Sequence, residues 1–143
     1  MTRIDFHSNV PDKIAYACRL VRKARAANCN IVLFVENRAR LDALDEALWT
    51  FSDMDFLPHA IADDALAADT PVVLTDNDQA ALPHHQVLIN LSAATPGHFA
   101  QFERMFEVVS ADADDTSAGR ERFRFYRQQG YPLTHYDYAA ERT

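Results

Sequence analysis

The chain has 143 residues, 48% of them hydrophobic and 24% charged, proportions of an ordinary globular protein that exclude disorder of the whole chain. Its formal net charge of -7 excludes a general surface for DNA or RNA, because phosphate contacts need spread positive charge, although a local basic patch remains open. Neither an apolar stretch of membrane-spanning length nor a signal pattern is seen, so a cytoplasmic protein with no membrane partner is expected.

Ile4-Asp-Phe6 reads as a short first strand. Pro11 suits the first turn of a following helix, in which Ile14, Ala17, Cys18 and Val21 recur at helical spacing. That stripe makes Cys18 a core residue rather than a nucleophile. With Cys29 the only other cysteine, the chain lacks both a disulfide framework and metal-type spacing. Ile31-Val-Leu-Phe-Val35 is continuously apolar, as a central strand covered on both faces should be. Asn37 is placed to cap the next helix. Its apolar stripe is Leu41, Leu44, Leu48 and Phe51, which leaves the single tryptophan, Trp49, between Asp42 and Asp45 on the polar side. A large aromatic outside the core stripe fits an interface anchor. Phe56, Leu57 and Pro58 either cover Trp49 or extend its patch.

Pro71–Thr75 and Gln86–Leu91 read as further strands, and Phe99, Phe102, Met105 and Phe106 as a helix or helix-to-strand junction after Gly97, leading into Glu107–Ser110. Four or five strands alternating with three or four helices predict a single domain over residues 1–143. Its expected architecture is a Rossmann-like, open, mainly parallel α/β sheet flanked by helices. Gly97, Gly119 and Gly130 form no cluster, so a phosphate-cradling glycine loop is absent. His84 and His85 are adjacent and diverge, with no third ligand near, so no metal is expected. Nor does any serine sit in a nucleophile-elbow context. Catalytic residues, cofactors and metals are all expected to be absent, which favours an interaction module over an enzyme.

The strongest local signal is Arg120-Glu-Arg-Phe-Arg-Phe-Tyr-Arg127, four arginines interleaved with three aromatics in an acidic chain. On a helix Arg120, Arg124 and Arg127 share one face with Phe123 at its edge, whereas Arg122 and Phe125 point elsewhere. Ala111-Asp-Ala-Asp-Asp115 before it is an acidic loop or a helix start suited to the N-terminal end of the dipole.

Leu41-Asp-Ala-Leu-Asp-Glu-Ala-Leu-Trp49, Phe56-Leu-Pro-His59 and the arginine run followed by Gly130-Tyr131 together resemble the chi subunit of bacterial DNA polymerase III. The resemblance extends from the first strand to about Leu133. It implies a Rossmann-like fold without nucleotide chemistry, in a non-catalytic subunit of the polymerase holoenzyme. Such a subunit links the clamp-loader complex, through the psi subunit, to the acidic C-terminal tail of single-stranded-DNA-binding protein. By the same resemblance Arg120, Phe123 and Arg124 match tail-gripping positions, with Arg127 on the same strip, and Trp49 and Phe56 match psi-contacting ones, which Leu57 and Pro58 extend. Phe123 stands where a tyrosine is known in the family, so a hydroxyl is lost and the aromatic surface kept. The competing readings are a small α/β enzyme acting on an anionic substrate and direct single-strand binding on Phe123 or Tyr126; strong direct nucleic-acid binding is not expected.

Overall fold

The computed structural model of the protein describes residues 1–50, 59–62, 70–79 and 81–138. Its elements are β1 (Arg3–Val10), α1 (Lys13–Ala26), β2 (Ile31–Phe34), α2 (Arg38–Thr50), β3 (His59–Ile61), β4 (Val72–Thr75) and β5 (Val87–Asn90). A short 3-10 turn at Phe99–Gln101 leads into β6 (Arg104–Ser110), α3 (Ala113–Gln128) and β7 (Leu133–Asp137). The strands form one sheet in the order β3-β4-β2-β5-β6-β1-β7, and every neighbouring pair is parallel.

The expected open α/β sheet is therefore present, with seven strands among the described residues instead of four or five and with a wholly parallel pairing. Alternation along β2 divides the core in two. Ile31 and Leu33 pack with Ala17, Cys18 and Val21 of α1 and Leu41, Leu44 and Leu48 of α2, whereas Val32 and Phe34 share the opposite face with Phe6, Met105, Val109 and Tyr126. This is how a parallel sheet hides both faces, and why its central strands are continuously apolar. Burial pushes the Cys18 thiol up to about 11, which fits the core role expected of it.

The cap residues set the helix starts. Pro11 precedes α1 instead of entering its first turn: Asp12 is the N-cap and accepts the Ile14 and Ala15 N–H groups. Asn37 Oδ1 accepts the Arg40 N–H at 2.9 Å, in the expected capping role. The acidic run is a helix start, with Asp112 as the N-cap of α3 and Asp114 and Asp115 in its first turn. At the other end α3 stops where Gly130 takes φ +86, a left-handed backbone that glycine adopts without steric cost.

Because β1 feeds α1 on one face and β6 feeds α3 on the other, the carboxyl ends of these adjacent strands form the switch point at which such sheets hold nucleotides. Here it is filled. Lys13 Nζ and Asp115 Oδ2 meet at 3.1 Å with both side chains largely buried, and each flanking helix spends N–H groups on its own aspartate. Phosphate held by those N–H groups would displace internal caps and face carboxylates.

Candidate recognition surfaces

Helix α3 places its four arginines in two environments. Arg122 is turned inward, 4% exposed, and its Nε donates to Glu107 Oε2 of β6 at 3.1 Å. Glu107 is fully buried and also accepts the Tyr126 hydroxyl at 2.6 Å and the Asn90 amide at 2.9 Å. Burial pushes the Glu107 carboxyl above its ordinary range, against the opposing pull of Arg122, Tyr126 and Asn90. It likewise pushes the Tyr126 phenol up, as does the neighbouring Glu107. This network fixes the roll of α3 on the sheet.

With that roll fixed, Arg120, Phe123, Arg124 and Arg127 line one cleft of about 420 Å³ between α3 and the β6, β1 and β7 strands. The three arginines are exposed and make no ion pair among the described residues. Phe123 is half-buried and sets its ring edge-on to Phe6 at 5.1 Å and 70°. Phe6 and Val109 supply the apolar floor. Gly119 lets it form: a Cβ there would lie 2.9 Å from Val109 Cγ2.

The cleft has a polar rim that the sequence did not announce. Ser8 Oγ and His135 Nε2 lie 2.7 Å apart, and the Asn9 amide donates to Asp137 Oδ1 at 2.9 Å. Both contacts tie β1 to β7. The even positions Phe6 and Ser8 project to the same side of β1, so strand alternation places them together, but it does not by itself bring them to α3. Asp137 adds a negative charge at the rim, which opposes a ligand that is merely polyanionic.

The second patch lies on α2. Leu41, Leu44 and Leu48 are buried as expected, while Trp49 is 51% exposed. Its indole packs against the His59 ring of β3 at 4.3 Å, and His59 Nε2 reaches Asp45 Oδ1 at 3.1 Å. Trp49 is thus held at the surface on a buried imidazole rather than hanging free. Phe51, Phe56, Leu57 and Pro58 lie outside the described residues. His84 is directed at the Thr70 carbonyl, 3.2 Å away, and no metal-ligating cluster occurs among the described residues.

Fold and surfaces together define an α/β module whose nucleotide position is occupied by its own Lys13–Asp115 pair, and whose exposed arginine and tryptophan patches sit on helix flanks. Comparison with known proteins makes the class particular. The family described as "DNA polymerase III chi subunit, HolC" matches residues 1–134. The chain is 36% identical over 137 residues to the DNA polymerase III subunit chi of Pseudomonas aeruginosa, covering 93% of this chain and 94% of that one. It is 26% identical over 118 residues to the Haemophilus influenzae subunit chi, covering 82% of each. The Escherichia coli subunit chi is 22% identical over 116 residues, with 81% of this chain and 79% of that one covered. The chain belongs to the family of DNA polymerase III chi subunits, replication accessory subunits of the polymerase.

Proposed function

We propose that this chain is a non-catalytic adaptor of the clamp-loader complex, with α3 receiving the acidic C-terminal tail of single-stranded-DNA-binding protein and the Trp49 patch receiving the psi subunit. One observation carries the first half: three arginines with no ion-pair partner among the described residues and a half-exposed phenylalanine converge on a cleft with an apolar floor. A peptide of aspartates ending in phenylalanine has matching chemistry. Guanidinium groups pair with its carboxylates, and the Phe6, Val109 and Phe123 surfaces receive its terminal ring. Trp49 supports the second half as a large, exposed aromatic held in place by His59. A cytoplasmic location follows from the same reading.

Titration of the full chain with a fluorescent acidic peptide ending in phenylalanine tests the tail site. Arg120→Ala should weaken binding by about 2 kcal/mol or more. Phe123→Ala should weaken it too. Removing the peptide's terminal phenylalanine should cost a comparable amount at unchanged side-chain charge, and added salt should weaken the complex. Equal binding by the intact and shortened peptides would overturn the assignment.

A further inference from the structure

A second cleft, of about 900 Å³, lies on the opposite face of the sheet, between α1 and the β1, β6 and β7 strands. It belongs to neither surface described above. Helix α1 carries five basic residues, Lys13, Arg19, Arg22, Lys23 and Arg25, and no acidic one, in a chain whose overall charge is -7. Its Arg19 and Lys23, four residues apart and so on one face, form one wall, and Arg3 and Arg104 stand opposite. Glu103 is the single carboxylate residue lining the cleft among the described residues. Arg104 is held by Asp5 and lies over the Phe106 ring, 4.6 Å from its centroid. Arg3, Arg19 and Lys23 are exposed and have no ion-pair partner among the described residues.

The far end of the same cleft is aromatic. Tyr136 of β7 is 40% exposed and stacks on His7 at 5.1 Å and 29°, and His7 Nδ1 meets the Tyr16 hydroxyl. From Arg3 to His7 the strand rises about 13 Å, so the cations and the aromatic platform are separated along the cleft rather than superposed. Burial lowers His7 to about 4, so its ring is a neutral stacking partner at physiological pH. Charge alone along the walls would suit any polyanion. A row of cations leading to an exposed, preorganised aromatic face suits a ligand with phosphates and flat rings along one chain, the two features by which single strands are held without sequence preference.

We infer that the α1 cleft is a weak binding site for single-stranded DNA, with phosphates on Arg3, Arg19 and Lys23 and a base on Tyr136. Weakness follows from the chain's overall negative charge, and the site is separate from the arginine cleft on α3. The test is fluorescence anisotropy of a labelled oligothymidylate with the full chain at low salt. With three phosphates neutralised, the logarithmic salt slope should be about -2. Arg19→Ala with Lys23→Ala, both exposed positions, should lower affinity by about tenfold or more and flatten that slope by about 1.4. Tyr136→Ala should cost about tenfold, while Arg120→Ala should leave DNA binding unchanged. An abasic strand of equal charge should bind correspondingly less well. No binding at low salt, insensitivity to the Arg19/Lys23 pair, or loss on Arg120→Ala would each overturn the site. Equal affinity for the abasic strand or for polyglutamate would replace it with a plain anion site.

Discussion

The arginine run combines residues that pack with residues proposed for recognition, and Arg122 is where the two separate. Its guanidinium is buried against Glu107, so Arg122→Ala strands a buried carboxylate and should destabilise the fold by about 3 kcal/mol. Because burial raises the Glu107 pKa, its ionised form disfavours the folded state, a penalty that grows as pH rises from the unfolded value through the folded one. The Arg122→Ala loss should accordingly be larger at neutral pH than in mild acid, which paired denaturant titrations measure. Asp115 has the opposite sign. Burial opposes its ionisation, yet the Ser110 N–H and Lys13 outweigh that and hold its pKa below the usual carboxylate range. Its stabilisation is present above the unfolded pKa and is lost as pH falls through the folded one. Asp115→Asn should therefore lower stability at neutral pH by about 1–3 kcal/mol and make the acid limb of the stability profile shallower. An acid limb as steep as the parent's would remove Asp115 as its source.

At the level of elements, the close approach of α3 to β6 depends on Gly119. Alanine there gains helix propensity of about 1 kcal/mol. The new Cβ, however, meets both methyls of buried Val109 at 2.9 and 3.0 Å. Valine is stiff at χ1 and packed, so overpacking of about 1–3 kcal/mol should prevail. Gly119→Ala should lower the melting temperature, and Val109→Ala in the same chain should recover part of the loss. The strands differ in how far their sequences reveal them. β2, β4 and β5 are legible because burial on both faces leaves continuous apolar runs. β7, Leu-Thr-His-Tyr-Asp, is an edge strand with three exposed central residues, so it carries no apolar pattern; β3 has only three residues. In the second half of β1, His7, Ser8 and Asn9 are polar and line clefts, before the strand ends on buried Val10. The arginine face was legible from helical spacing alone, but its floor and rim come from Phe6, Val109 and His135 on three different strands, which only the sheet order brings together.

For the whole molecule, the decisive feature is that the two proposed protein sites are carried by helices on opposite faces of the sheet. α2 packs with α1 on one core and touches β3 and β4, whereas α3 packs on the other core over β6 and β1. In the strand order β3-β4-β2-β5-β6-β1-β7, β4 and β6 are three places apart, a separation of about 14 Å across the sheet before its thickness is added. Ligands so placed share no side chain, and mutational effects at sites this far apart add unless a two-state element connects them. An adaptor that must hold both partners at once needs that independence. Trp49→Ala should reduce psi affinity by about 2 kcal/mol or more while changing fold stability by about 1 kcal/mol or less. Arg120→Ala should do the same to the tail peptide, and the double variant should show both losses within about 0.5 kcal/mol of their separate values. Tail-peptide titrations with and without saturating psi complete the cycle: equal affinities support a rigid bridge, and a shift of tenfold or more would show that the two faces communicate and that bridging is regulated rather than passive.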